Sequence, residues 1–407
     1  MRGLLQGAAP APSRADTVPA PIPVPVLPLA LAMALLSAFL LLPSTVAGQA
    51  DAIDRGPVQG VALDLGVVLD GAFESSSQEE NAFVLRKLEV LFSGAVDPYF
   101  DFESVIAFEE GGGAEVEEAH VTAVLPWRLL LRTGRDLLPF GYLNQIHPHD
   151  FPWADQPLGI EELTTDHGFY GDGAHLQWLS PLVNPTLSFT GGLYHSIEHS
   201  VGRRIQGRPY MLRVESFWQS GDMLHAVLVG ASHLGGIGDR DHRRGGPEDI
   251  DARTFAQTQR VLGLDARYRW EDPDRTQAGW TVAAEFLRQT ADVTRDPTLA
   301  GEDELFDFQT GFGLTDRLTD QAVYGYVQRD RGPYWGYGYR FDHTDVLLSD
   351  GEVGIQGHSL YVQWRPTEFS RLTFQYQHRR DDRFPGTDHR FTLQGTFWMG
   401  YHPPHFF

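Results

Sequence analysis

The sequence predicts an all-β fold: a transmembrane antiparallel β-barrel of about 16 strands (roughly 14 to 18), preceded by a signal peptide. Three observations lead to this fold class. From residue 61 onward, apolar and polar side chains alternate with a period of two, as in strands with one apolar face. The connections between these segments alternate between short and long. An apolar run lies near the N-terminus, as in exported proteins.

Residues 1–50 are predicted to be a signal peptide. Two arginines give a weakly positive start, residues 26–42 are almost wholly apolar, and small residues follow at once. Cleavage is expected after Ala47 or Ala50. The alternative is an uncleaved anchor, because the apolar run approaches the roughly 20 residues that span a bilayer. The remaining residues, 51–407, are expected to form a single outer-membrane β-barrel.

The composition argues against several classes of protein. The formal net charge of −22 makes nucleic acid an unsuitable partner, so none is expected. An exported chain with no cysteine has no disulfide framework, and its stability must come from backbone pairing and packing. No nucleophile motif such as Gly-x-Ser-x-Gly is present. The chain is therefore not predicted to be an enzyme, and no cofactor is expected.

The C-terminal segments show the alternation most clearly, since Leu372, Phe374 and Tyr376 alternate with Thr373 and Gln375. A polar face on nearly every strand could not pack into a dry core, and aromatic residues near strand ends resemble an interfacial girdle. The alternative is a soluble β-sandwich, which would pair its apolar faces. The predicted strand cores are residues 60–70, 83–93, 98–109, 114–125, 127–136, 172–180, 185–194, 208–219, 222–233, 258–271, 277–290, 319–329, 333–344, 355–366, 370–379 and 389–400.

Long connections are predicted at one rim of the barrel and short ones at the other. Those after even-numbered strands are short, such as Pro126 alone. Those after odd-numbered strands are mostly long, as at residues 71–82, 137–171, 234–257 and 291–318, with residues 110–113 as the exception. This is the pattern of short periplasmic turns and longer external loops. The aromatic connection at residues 137–171 follows the fifth strand and is expected to fold into the lumen. It would narrow the water-filled channel of a barrel of this size.

Several segments carry a resemblance to a known family. They are Phe83-Val84-Leu85-Arg86-Lys87-Leu88-Glu89-Val90, Gly94-Ala95-Val96-Asp97-Pro98-Tyr99, Val116-Glu117-Glu118-Ala119-His120, Leu131-Arg132-Thr133-Gly134-Arg135, Pro139-Phe140-Gly141, Asn144 and His147-Pro148-His149. Here the chain resembles porin-type barrels related to the phosphate-selective porin group, in a subgroup often labelled zinc-regulated outer-membrane receptors. The resemblance covers residues 60–180 and the last strand, and implies a homotrimeric outer-membrane barrel. The chain departs from the basic channel lining of that group, because Lys87 is its only lysine.

The C-terminus and the apolar strand faces define the expected partners. The terminal Phe407 resembles the signal that outer-membrane barrels present to their assembly machinery. The apolar faces would contact outer-membrane lipid and lipopolysaccharide, and the lumen would admit small hydrophilic solutes. The expected location is the bacterial outer membrane.

Carboxylates of the connection at 137–171 are the candidates for a pore constriction. The predicted set is Asp150, Asp155, Glu161 and Glu162, with Asp166 nearby, facing Arg128 and Arg132 on the preceding strand. Carboxylates opposite arginines would set a transverse field that sorts solutes by charge. In the alternative interpretation, the arginines only neutralise acidic side chains of the lumen.

Histidines in the same connection form a candidate metal site. His147 and His149, with Asp150 and Asp155, offer imidazole and carboxylate ligands that suit zinc. The alternative is that these rings pack and hydrogen-bond to fix the loop against the wall. A second candidate cluster contains His195, Glu198 and His199.

The sequence favours a porin that allows passive diffusion of small hydrophilic solutes or ions through a channel narrowed by a loop. An alternative is an outer-membrane receptor or transporter for a metal such as zinc. A third is an outer-membrane hydrolase. An open conductance that scales with salt concentration would separate the first function from the others.

Overall fold

The described part of the chain consists mainly of β-strands. The computed structural model describes residues 63–108, 113–164, 168–199, 203–205, 209–236, 254–295, 315–348 and 351–401. The predicted signal peptide at residues 1–50, Asp166 and Phe407 lie outside these ranges.

Seventeen strands in the described ranges form one antiparallel sheet. They are β1(Leu63–Ser76), β2(Ala82–Ala95), β3(Phe100–Phe108), β4(Ala114–Leu125), β5(Leu129–Leu137), β6(Tyr170–Leu179), β7(Thr186–His199), β8(Arg203–Ile205), β9(Pro209–Gln219), β10(His225–Gly236), β11(Thr254–Glu271), β12(Gly279–Arg295), β13(Thr315–Asp330), β14(Trp335–Leu348), β15(Gly351–Thr367), β16(Ser370–Asp381) and β17(Thr387–Gly400). Strand β8 pairs with β7, which also pairs with β9, so the other sixteen strands form the barrel. Each predicted core overlaps one of these sixteen strands, and the predicted fold class is confirmed.

Pairing between the first and last strands closes the barrel. In the β1–β17 ladder, Val67 lies opposite Met399 and Phe73 lies opposite Leu393. This antiparallel ladder satisfies the backbone groups that would otherwise form two open sheet edges. β1 and β17 are the first and last strands of the described chain, so the barrel closes only when these two strands pair.

The two faces of the strands are inverted relative to a soluble protein. Large apolar side chains point outward: Leu360 is 58% exposed and Phe374 is 49% exposed. Polar side chains at alternate positions point inward, and Thr373 and Gln377 are 0% and 2% exposed. Such an outer surface suits lipid, with polar groups held in the lumen. The predicted alternation of Phe374 with Thr373 is therefore confirmed.

Two of the connections that were predicted to be long are shortened by extensions of the flanking strands. The connection predicted at residues 71–82 is mostly strand, because β1 continues to Ser76 and β2 begins at Ala82. Within the connection predicted at residues 291–318, β12 continues to Arg295 and β13 begins at Thr315. Paired strands satisfy their own backbone hydrogen bonds in water as well as in lipid, so a polar sequence need not end a strand.

The connection from β5 to β6, residues 138–169, is here called the inner loop. It contains helix α1 (Leu158–Leu163), which packs against β13, β14 and β15. A Cβ atom on Gly159 would lie 2.4 Å from Ala322 Cβ and from Thr344 Oγ1, so glycine allows the helix to approach the wall this closely. Among the described residues, no helix is both long and apolar enough to cross a bilayer.

Candidate functional site

The two ends of the inner loop are joined by one side chain. Asn144 Nδ2 donates to the carbonyl oxygens of Leu138 at 2.8 Å and Phe169 at 2.9 Å, and Asn144 Oδ1 accepts from the Phe169 N–H at 2.5 Å. These bonds add to the backbone hydrogen bond from the Leu138 N–H to the Phe169 carbonyl at 3.0 Å, just beyond the last pair of the ladder between β5 and β6. The loop therefore leaves and re-enters the wall at a fixed point.

Backbone contacts hold the first turn of the loop against the far wall. Gly141 has φ 64 and donates its N–H to Ser232 Oγ at 3.0 Å. The Leu143 N–H donates to Glu285 Oε2 at 3.3 Å. A Cβ atom on Gly141 would lie 1.8 Å from Glu285 Oε1, so a larger residue would separate the loop from β12.

Apolar side chains of the inner loop form the main hydrophobic core of the molecule. From the loop, the core contains Leu138, Phe140, Leu143, Phe151, Trp153, Ile160, Leu163 and Phe169, and these pack against inward-facing side chains of β7, β9 to β13 and β15. Trp153 is fully buried, with its ring centroid 4.8 Å from that of Tyr326 and the Arg340 guanidinium 4.9 Å from its centroid. Burial of one such aromatic ring contributes roughly 1.5–3 kcal/mol. One side of the lumen is therefore filled with apolar packing.

Wall side chains bind the carbonyl groups of the loop in its middle section. Arg371 donates to the carbonyl oxygen of His149, Arg86 donates to that of Ala154, and Gln363 donates to that of Pro152 at 2.8 Å. These donors come from β16, β2 and β15, on the side of the barrel where its ends meet. Backbone carbonyls that lie outside any ladder are thereby satisfied.

Asp155 is held by three side chains of the wall. Its carboxylate accepts from Arg340 Nη1 at 2.9 Å, from Gln375 Nε2 at 2.7 Å and from Gln377 Nε2 at 2.7 Å. Burial alone would raise the pKa of Asp155, but the Arg340 guanidinium outweighs burial and holds that pKa below its usual range. Asp155 is therefore ionised at neutral pH.

The structure separates the other predicted constriction carboxylates. Glu162 pairs with Arg383 at 2.5 Å, in the turn between β16 and β17. Glu161 is exposed and lines a cavity beside the loop. Asp150 Oδ2 lies 3.0 Å from His149 Nε2. These carboxylates therefore face different partners and do not form one group.

The two predicted arginines lie elsewhere than opposite these carboxylates. Arg132 is on β5 and pairs with Asp136 of the same strand at 3.1 Å. Arg128 was predicted to lie on that strand, but it lies in the turn Pro126–Arg128 with φ 64, is exposed and donates to the Ser180 carbonyl at 3.0 Å. That turn is at the end of β5 distant from the inner loop. Arg340 and Arg383, which the sequence did not single out, are the arginines that meet loop carboxylates.

His147 and His149 lie together in a buried cluster with glutamates of the wall. His147 Nε2 lies 2.8 Å from Glu118 Oε1, and His149 Nδ1 lies 3.2 Å from Glu89 Oε1. The two rings are stacked, with centroids 5.4 Å apart. Asp155, which was predicted to join them, instead contacts Arg340. No sequence motif links Glu89 and Glu118 to the histidines; their inward positions on β2 and β4 were the only signal.

Neighbouring carboxylates determine the protonation of both histidines. Burial would lower the pKa of His147, but Glu89 and Glu118 outweigh it and raise the pKa to about 9. Burial opposes protonation of His149 as well, and Asp150 and Glu89 raise its pKa well above the usual value. In the absence of another cation, both rings are imidazolium groups at neutral pH.

Two further groups contain metal-ligating residue types, one found in the structure and one predicted from the sequence. Glu118, His120 and Asp136 are buried, and their ligand atoms lie within 4.8 Å of one another. In the predicted cluster on β7, His195 is exposed, whereas Glu198 and His199 lie outside the described side chains. The structure therefore gives a geometry only for the first of these groups.

A cavity of about 550 Å³ lies between the inner loop and strands β1, β2, β16 and β17. Its acidic lining residues are Asp70, Glu74, Glu79, Glu80, Asp155 and Glu161, and its basic ones are Arg86, Lys87, Arg379 and Arg390. Some of these charges pair across the lining, since Arg86 lies 2.6 Å from Glu74 and Arg390 lies 2.8 Å from Glu79. The lumen thus has an apolar side occupied by the loop and a charged side that remains accessible to water.

Comparison with known proteins identifies the fold. No family model matches the chain. An uncharacterized protein of Aquifex aeolicus (strain VF5) is 26% identical over 358 residues, covering 80% of this chain and 70% of that protein.

Solved structures of outer-membrane proteins resemble the chain at low sequence identity. A loop L8 deletion mutant of OmpT, an outer membrane protein of Vibrio cholerae, has a TM-score of 0.55 at 9% identity, over 83% of this chain and 99% of that one. The anion-selective porin from Comamonas acidovorans has a TM-score of 0.53 at 8% identity, over 84% and 100% of the two chains. The chain therefore shares the closed barrel fold of these outer-membrane proteins.

Proposed function

We propose that the protein is a porin of the bacterial outer membrane, through which small hydrophilic solutes or ions diffuse passively. The observation that carries this proposal is the charged cavity of about 550 Å³ between the inner loop and β1, β2, β16 and β17. A passage lined by ionised and amide groups replaces part of the hydration shell of a polar solute and repels apolar ones. The similarity to the Comamonas porin supports the fold that such a passage requires.

The inner loop is the proposed constriction. Its apolar packing occupies the side of the lumen formed by β10 to β13, so solutes are confined to the opposite side. There Asp155 and Glu161 from the loop face the wall of the cavity. Asp150, Glu162 and Arg132 contribute to the field from buried or paired positions. Arg128 is left out, because it lies in an exposed turn.

The outer surface suggests the remaining partners. Exposed apolar side chains such as Leu360 and Phe374 suit outer-membrane lipid, and lipopolysaccharide would meet the rim. A homotrimer is proposed as well, since one structural neighbour, OmpT of Vibrio cholerae, is described in a trimer form. Phe407 would be recognised by the assembly machinery of the outer membrane. The relation to the phosphate-selective porin group is part of the proposal, but phosphate selectivity is not, because acidic side chains predominate in the lining.

Conductance in planar bilayers tests the function. Purified protein should give single-channel steps that increase in proportion to the KCl concentration, because ions cross a water-filled passage. Folded protein that inserts and gives no such steps would contradict the proposal. Saturable transport through a closed barrel would favour a receptor instead.

A deletion tests the constriction separately. Removing residues 147–155 takes away the part of the inner loop that is bonded to Arg86, Arg340 and Arg371, so the single-channel conductance should increase. A deletion of residues 273–276, in the exposed turn between β11 and β12, is the control and should leave the conductance unchanged. Equal conductance of both deletions and the wild type would refute the role of the loop while leaving the porin function intact.

A further inference from the structure

Three side chains from two separate parts of the fold converge at one buried point. Glu89 is on β2, and His147 and His149 are on the inner loop. All three are buried, and their nearest oxygen and nitrogen atoms lie within 4.8 Å of one another. From this geometry we infer that Glu89, His147 and His149 bind a divalent transition-metal ion with the ligand preferences of Zn²⁺, which would connect the inner loop to the barrel wall.

The distances between the ligand atoms suit such an ion. Ligands about 2.0–2.2 Å from a tetrahedral zinc ion lie roughly 3.3–3.6 Å from each other. His149 Nδ1 is 3.2 Å from Glu89 Oε1, and His147 Nδ1 is 3.9 Å from the same oxygen. Glu117 Oε2 is also 3.9 Å from His147 Nδ1 and offers a fourth ligand. Shifts of a few tenths of an ångström would complete the geometry.

The outer nitrogen of each histidine already faces a carboxylate. His147 Nε2 lies 2.8 Å from Glu118, and His149 Nε2 lies 3.0 Å from Asp150. Metal-binding histidines are typically oriented in this way, because a carboxylate that accepts from one ring nitrogen leaves the other nitrogen's lone pair for the metal. Both Nδ1 atoms thus face Glu89, on the same side of the stacked rings.

Glu89 supplies an independent argument. Its side chain is 0% exposed, yet neither carboxylate oxygen accepts a hydrogen bond of normal geometry within the described structure. A buried carboxylate without such bonds is costly unless a cation compensates it. A dication bound between Glu89 and the two histidines would supply the positive charge that this carboxylate requires.

The donor set selects a class of metal. Two imidazole nitrogens with one or two carboxylate oxygens suit Zn²⁺, Co²⁺ or Ni²⁺, whereas Ca²⁺ and Mg²⁺ prefer a shell of oxygen ligands. Lys87 does not occupy the position, because its Nζ pairs with Glu117 at 2.5 Å and is 3.8 Å from Glu89. The only other such group in the described residues, Glu118, His120 and Asp136, has a single imidazole and serves as the internal comparison.

Titration of the folded, full-length protein with Zn²⁺ tests the site. Protein in detergent micelles, stripped with a chelator, should bind one Zn²⁺ per chain in isothermal titration calorimetry. Co²⁺ in place of Zn²⁺ should give the visible absorption of a tetrahedral site with nitrogen and oxygen ligands. Glu89→Gln and His149→Gln should abolish both signals, and Asp150→Asn should weaken binding by about 10–100-fold, because it only orients His149.

Matched variants make the result decisive. His120→Gln changes a buried lumenal histidine of the neighbouring group and should leave Zn²⁺ binding unchanged. Circular dichroism of each variant establishes that the barrel is folded, and the mildest change, Asp150→Asn, carries the test if Glu89→Gln fails to fold. The inference is overturned if the wild type binds no Zn²⁺ stoichiometrically, if Glu89→Gln binds as the wild type does, or if His120→Gln alone removes binding. None of these outcomes depends on conductance, so the porin function is tested separately.

Discussion

The side chain of Asn144 fixes the base of the inner loop. Its amide joins the first and last residues of the inner loop, through hydrogen bonds to Leu138 and Phe169. An amide side chain has donors and an acceptor on one planar group, so it can replace a short piece of the missing ladder. An ionised aspartate could accept but not donate these hydrogen bonds, and leucine could do neither.

Replacement of Asn144 should loosen the base of the loop. Asn144→Ala removes three hydrogen bonds at the base of the loop, although the carbonyl groups of Leu138 and Phe169 keep the N–H donors of Phe140 and Leu138. The loss of these three bonds should cost roughly 2–3 kcal/mol. The urea midpoint of unfolding in micelles should fall accordingly. Asn81→Ala, at an exposed asparagine between β1 and β2, is the control and should change the midpoint little. Equal midpoints for the two variants would contradict the role of Asn144.

At the scale of elements, the inner loop is held by charge as well as by packing. Asp155→Asn removes the carboxylate that pairs with Arg340, although Arg340 keeps Asp342 at 2.8 Å. Because the remaining partner limits the loss, we expect the free energy of unfolding to fall by on the order of 2 kcal/mol. Asp274→Asn, at an exposed residue between β11 and β12, should have little effect.

The pH dependence of that difference follows from the lowered pKa of Asp155. A carboxyl group whose folded pKa lies below its unfolded value of about 3.9 stabilises the fold above that value and loses its contribution as the pH falls through the folded pKa. The difference between wild type and Asp155→Asn should therefore stay constant from pH 7 down to about pH 4 and shrink only below it. A difference that disappears by pH 6 would show that another group is responsible.

The strands could be predicted from the sequence because their signal is local. Neighbours such as Thr373 and Phe374 face opposite sides of one strand. The alternation alone therefore predicts which side chain faces the lumen and which faces lipid. The ends of strands were less predictable, as at β12 and β13, since backbone pairing continues beyond the predicted ends at residues 290 and 319.

The partners of the loop could not be predicted, for a physical reason. Asp155 and Arg340 lie 185 residues apart, and Glu162 and Arg383 lie 221 residues apart. Which inward side chain meets which loop residue depends on the shear of the barrel and the path of the loop, and neither leaves a local pattern. The histidine pair was visible in the sequence, whereas its carboxylate partners were not.

For the whole molecule, the division of the lumen has a consequence for ion selectivity. The cavity lining contains six carboxylates and four basic side chains, besides His149. An excess of fixed negative charge attracts cations, so the proposed channel should prefer K⁺ over Cl⁻. This expectation contrasts with the anion-selective porin of Comamonas acidovorans, which has the same fold.

Reversal potentials across a KCl gradient measure that preference. The preference for K⁺ should be larger near 0.1 M than near 1 M salt, because the screening length falls from about 10 Å to about 3 Å as the salt concentration rises. The double variant Glu80→Gln and Glu161→Gln should reduce it, since both side chains line the cavity. Glu368→Gln, at an exposed turn between β15 and β16, is the control and should leave the preference for K⁺ unchanged. Anion preference in the wild type would show that Arg86, Arg379 and Arg390 dominate the field.

The contacts of Ala154 bear on the mechanical integrity of the barrel. Its carbonyl oxygen accepts from Arg86 on β2, and its N–H donates to Gln375 Oε1 on β16 at 2.9 Å. These two strands flank the junction at which β1 meets β17. Lateral opening of the cylinder at that junction would have to break these hydrogen bonds in addition to the ladder itself. The inner loop thus acts as an internal brace across the one seam where the two ends of the strand sequence meet.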